Sequence, residues 1–120
     1  MNWDIRIGIN PISWSNDDLP ALGGNTPLET ALREGAEIGY TGFELGNKFP
    51  KAPQALKAKL EEFGVSCVSG WYSGRLAESE LDDEISGCAA HMDKLRHNGC
   101  KVVVYGEVAG SIQGSIEVPL

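Results

Sequence analysis

Four short β-forming runs, at residues 5–10, 42–45, 65–70 and 101–105, alternate along this chain with helix signals. Strands that alternate with helices build βα units on a parallel sheet, because a parallel connection needs a crossover and a helix supplies it. Ligands in such folds gather beyond the carboxyl ends of the strands. A closed barrel takes eight units and typically ~250 residues, so a chain of 120 residues reads as the N-terminal half of a (β/α)8 TIM barrel. The expected sheet is parallel, in strand order 1-2-3-4, with three helices, and residues 1–120 form a single partial domain.

The helix punctuation supports this parsing. Thr26, Pro27 and Glu29 offer an N-cap, an N1 proline and an N3 carboxylate, a capping box before Leu28, Ala31, Leu32, Ala36 and Ile38. Gly39 or Gly42 ends that helix. Pro53 opens the second helix, whose sheet-facing side carries Leu56, Leu60 and Phe63, with Gly64 as the stop. The third begins near Ser79 with acidic residues in its early turns and Lys94, Arg96 and His97 near its end, complementing the helix dipole. Its apolar face reads Leu81, Ile85, Cys88, Met92 and Leu95, and Gly99 terminates it. The run after Gly99 is almost continuously apolar and β-forming, which suits a strand buried on both faces.

Composition narrows the function classes. The sequence is 42% hydrophobic and 22% charged, ordinary globular values. A formal charge of −7 argues against nucleic acid, which requires clustered Lys and Arg. No apolar run approaches the ~20 residues of a membrane span, and the first residues carry no leader pattern, so a cytoplasmic protein without membrane partners is expected. Cys67, Cys88 and Cys100 lack CxxC spacing and read as small apolar core residues rather than disulfides or a zinc site. The glycines near residue 106 form no GxGxxG fingerprint at a strand-to-helix turn.

The strand ends and the loops beyond them hold the candidate binding residues: Asn10, Trp14, Glu44, Trp71, Tyr105 and Glu107. Glu44 and Glu107 sit where a carboxylate beside a buried strand must find solvent, a donor or a ligand. The connection at 11–25 exceeds the usual 2 to 6 residues of a βα loop and carries Trp14, Asn16, Asp17 and Asp18, a mixture suited to stacking on and hydrogen-bonding a small polar molecule. Trp14 equally reads as the loop's anchor, and Trp71 and Tyr105 equally as packing. His91 and His97 lie six apart, off a common i, i+4 face, and read as solvated or helix-end residues.

Four segments, GINPISWSN at 8–16, GFELG at 42–46, VSGWY at 68–72 and YGEVAGSIQG at 105–114, resemble the inosose dehydratase family of myo-inositol catabolism, within the xylose isomerase-like barrels. The resemblance implies removal of water from 2-keto-myo-inositol, a divalent metal, manganese or cobalt, and glutathione. It also implies that the metal ligands come from later strands absent from these residues, so the six candidates carry over only as substrate-pocket positions. No metal ligand or catalytic residue is assigned here, and no cofactor is expected within this chain. Dehydration beside a ketone needs a base, a stabiliser for the enolate and an acid for the departing hydroxide. One carboxylate does not supply all three; Glu44 and Glu107 together offer a weak ion site or an acid and base pair, with no histidine to join them. The expectation is therefore an N-terminal dehydratase part, inactive by itself. The alternatives are part of a sugar isomerase or epimerase barrel, or a half-barrel that pairs with a second copy or with a missing C-terminal half. A third reading, a small doubly wound α/β binding domain, predicts a strand order that reverses at a switch point.

Overall fold

A computed structural model describes residues 4–112. Its elements run β1 (Gly8–Ile9), a 3-10 turn (Pro11–Ser13), α1 (Leu28–Ile38), β2 (Gly42–Leu45), α2 (Pro53–Glu62), β3 (Ser66–Gly74), α3 (Leu81–His97) and β4 (Val104–Glu107). The strands form one parallel sheet in order β1-β2-β3-β4. Consecutive strands are neighbours throughout, as in half of a (β/α)8 barrel and unlike a doubly wound sheet, which reverses direction at a switch point.

The core lies between the sheet and the first two helices. Phe43, Leu32 and Leu56 are fully enclosed there, with Leu28, Leu45, Phe49 and Leu60 around them. The spacing of Leu28, Ala31, Leu32 and Gly35 turns one stripe of α1 to the sheet. Gly35 is required by contact: a Cβ there would lie 2.3 Å from Phe43 Cζ. On the opposite face of the sheet, Val68 closes over a glycine pair, since a Cβ on Gly8 or Gly42 would come within 2.8 or 2.4 Å of its methyls. The β2–β3 register slips here, Phe43 facing Cys67 and Glu44 facing Ser69, so Val68 is the extra residue of a bulge.

Gly39, Gly64 and Gly99 follow the helices at φ of 108°, 66° and 72°, the left-handed conformation that ends a helix without a Cβ penalty. Pro53 opens α2 as its sequence indicates. The capping box does not form: Pro27 occupies the cap position of α1 without a side-chain hydrogen bond, and Glu29 turns to Lys59 Nζ at 3.1 Å. Lys48 replaces that local bond with a long-range one. Its ammonium donates to the carbonyls of Gly23, Gly24 and Thr26, fastening the long β1–α1 loop to the end of β2.

Two further expectations change. On α3, Leu81, Ile85 and Met92 are exposed, and Glu84, Cys88, His91 and Leu95 form the inward stripe instead. The two stripes overlap in spacing, and hydrogen bonding decides between them. Glu84 accepts from Arg75 N at 3.2 Å and from the Tyr105 hydroxyl at 3.0 Å. Residues 101–103 are not strand, and among the described residues β4 pairs only with β3, leaving Tyr105 within it and Val102 before it exposed. Cys67 and Cys100 are buried free thiols and Cys88 is half-buried. Among the described residues no helix is long and apolar enough to cross a membrane.

Candidate functional site

The site begins with a carboxylate held from both sides. Phe43 and Leu45 turn toward the core, and the pleat sends Glu44 between them to the other face. Asn10 Nδ2 donates to Glu44 Oε1 at 2.5 Å and Ser69 Oγ donates to Oε2 at 2.6 Å. Asn10 Oδ1 accepts from Ile12 N at 2.9 Å, which caps the 3-10 turn and fixes which way the amide faces. One side chain from the end of β1, one from β2 and one from β3 thus form a hydrogen-bonded row across the rim.

This row opens into a cleft of about 500 Å³, lined by Asn10, Glu44, Asp17, Trp71, His91 and Lys94 among others. Trp71 lies within β3 rather than beyond it, because β3 continues to Gly74. Its indole is half-exposed, donates from Nε1 to Ser73 Oγ at 2.9 Å, and lies against Gly106, where a Cβ would come within 2.1 Å of the ring. Gly106 therefore lets the indole approach β4 closely.

Trp14, Tyr105 and Glu107 do not line this cleft. Trp14 stands 6.2 Å from Phe43 by ring centroids and donates from Nε1 to Glu34 Oε2 at 2.7 Å, which anchors the loop to α1. Tyr105 faces α3, with its ring 5.8 Å from that of Tyr72 and its hydroxyl on Glu84. Burial, then the Glu84 hydrogen bond, push its phenol up to about 12. Glu107 accepts from Leu76 N and Ala109 N, both at 2.8 Å, tying together the loops after β3 and β4. Of the glycine-rich segment 108–115, residues 113–115 lie outside the described residues.

Sequence reasoning passed over Ser69 and the basic wall of the cleft, Lys51, His91 and Lys94. His91 is half-buried: its ring packs 5.6 Å from that of Tyr72, and among the described residues Nε2 is sealed from solvent without a hydrogen-bond partner. Burial above all, then Lys94 and Lys51, hold its pKa below the usual value. The available signal was the spacing of Glu84, Cys88, His91 and Leu95, an inward helical stripe that contains polar residues. Among the described residues no three His, Cys, Asp or Glu side chains converge to hold a metal ion. Glu44 and Glu107 are engaged in separate hydrogen-bond sets. The residues described therefore do not fit a divalent metal site.

No protein-family model matches the chain. It is 44% identical over 116 residues to the rhizopine catabolism protein MocC of Rhizobium meliloti, which covers 97% of this chain. It is 40% identical, again over 97% of its length, to an inosose dehydratase of Geobacillus thermodenitrificans. The chain is homologous to the N-terminal part of the inosose dehydratases. An inosose dehydratase of Clostridium botulinum matches similarly, at 40% over 119 residues. The chain spans 36 to 40% of the length of these curated relatives. The similarity to inosose dehydratases covers Asn10, Glu44, Ser69 and Trp71 together, because it extends over nearly all of the chain.

Proposed function

We propose that this chain is the substrate-pocket portion of a metal-dependent inosose dehydratase acting in myo-inositol catabolism, and that it is inactive by itself. The observation that carries this reading is the Asn10, Glu44, Ser69 row at the mouth of a cleft, in a chain homologous to inosose dehydratases along 97% of its length. Each carboxylate oxygen of Glu44 accepts one protein hydrogen bond and keeps a lone pair for a ring hydroxyl. Asn10 Nδ2 keeps a second hydrogen to donate. Trp71 presents an apolar face against which the C–H face of a cyclic polyol stacks. These residues bind and orient the ring. The divalent metal, manganese or cobalt, and glutathione come into this proposal from the family resemblance alone. The described residues do not fit the metal.

Titration of the chain with 2-keto-myo-inositol, followed by NMR, tests the binding role. Saturable shifts of the Trp71 indole and the Asn10 amide, lost in Glu44→Ala, support it. Shifts absent at both positions contradict it.

A second reading, a half-barrel that pairs through its open edges, is favoured by the exposure of Ile7 and Val102 near the two edge strands and of Leu81, Ile85 and Met92 on α3. Removing such surface from water contributes about 25 cal/mol per Å², against the entropy cost of association. Light scattering at micromolar concentration separates the cases, since a folded monomer contradicts the pairing.

A further inference from the structure

We propose that the end of the cleft formed by Lys51, His91 and Lys94 is an anion subsite, taking one carboxylate or phosphate group of a small molecule. The inference does not depend on the polyol reading, because it uses other residues of the cleft.

Its first support is a missing counter-charge. The chain carries 17 acidic against 10 basic side chains, and several of its cations are engaged elsewhere. Lys57, Lys59, Arg75 and Arg96 pair with carboxylates, and Lys48 holds three loop carbonyls. Lys51 and Lys94 line the same cleft, and among the described residues neither makes an ion pair or a side-chain hydrogen bond. Two lysines without an ion pair thus line one cleft of a protein this acidic.

The second support is electrostatic. Burial, followed by the charge of Lys51, lowers the proton affinity of Lys94. Burial, then Lys94 and Lys51, do the same to His91, and only the nearby Gly70 backbone opposes them. No carboxylate contributes to either group. Of the acids lining the cleft, Glu44 is directed to Asn10 and Ser69, and Asp17 to Asn47 N at 2.8 Å. An anion entering the cleft relieves the repulsion and accepts charge-assisted hydrogen bonds from both ammonium groups.

The test is an NMR titration of the 120-residue chain with inorganic phosphate, and in a separate arm with sodium acetate, each at ionic strength held constant with sodium chloride. The expected result is a saturable response at Lys51, His91 and Lys94. The Lys51→Met and Lys94→Met variants should each weaken it about tenfold, the effect of one lost charge-assisted contact, while Lys57→Met leaves it unchanged. Saturation by phosphate alone assigns a phosphate group, and saturation by acetate assigns a carboxylate. Lys51 is exposed, so Lys51→Met keeps the fold and decides the matter even where Lys94→Met does not. A linear, unsaturating drift in both arms, or an affinity that Lys51→Met leaves unaltered, overturns the proposal.

Discussion

Asn10 and Glu44, 34 residues apart, share a 2.5 Å hydrogen bond that joins the end of β1 to the middle of β2. The same asparagine caps the turn that follows it. Asn10→Ala removes both contacts at once and is expected to destabilise the chain by about 1–2 kcal/mol. Glu44→Gln is expected to cost less than about 1 kcal/mol, because an amide still accepts from Asn10 and donates to Ser69. Urea unfolding of the two variants checks the order of these effects.

Gly35→Ala tests the packing of α1 on the sheet. Its methyl would sit 2.3 Å from Phe43 Cζ, and that ring is fully buried. Overpacking of this kind costs typically 1–3 kcal/mol, against a helix-propensity gain of roughly 1 kcal/mol. A net loss in stability, seen as a lower urea midpoint with unchanged slope, is the expected outcome.

Tyr105 makes stability fall at alkaline pH. Its phenol titrates near 10 when unfolded and at about 12 in the folded chain. The folded state favours the neutral form, so this contribution is complete below pH 10 and is lost as the pH rises from there toward about 12. Tyr105→Phe should flatten the alkaline stability profile, leaving the smaller slope due to Tyr72, whose phenol is also raised.

His91 acts at the acid end. Its folded pKa lies below the ordinary 6.5, so the neutral ring is favoured in the folded state. The stability this confers is present above pH 6.5 and is lost as pH falls through the folded value. An NMR titration of the ring should place its midpoint below the ordinary 6.5, and His91→Gln should remove part of the acid-side loss of stability.

The order of elements was legible because strand runs and helix stops are local signals. The stops at Gly39, Gly64 and Gly99 and the opening at Pro53 need nothing beyond neighbouring residues. What could not be read locally was decided by distant partners. Glu29 left the capping box for Lys59, and Lys48 took over the loop carbonyls next to it. With Glu84 bonded to Arg75 and Tyr105, α3 half-buries His91 and leaves Ile85 exposed. At the site, the position of Glu44 beside a buried strand was enough to mark it as a carboxylate in need of a donor or ligand. It gave no means of pairing Glu44 with Ser69 across a bulge, nor of sending Tyr105 to the helix layer and Trp71 to the cleft.

An assay of inosose dehydration by the purified 120-residue chain, with manganese or cobalt supplied, bears most directly on the central claim. Among the described residues no three metal-ligating side chains converge, so no turnover above the metal-and-buffer control is expected. Metal-dependent turnover that disappears in Glu44→Ala would contradict it.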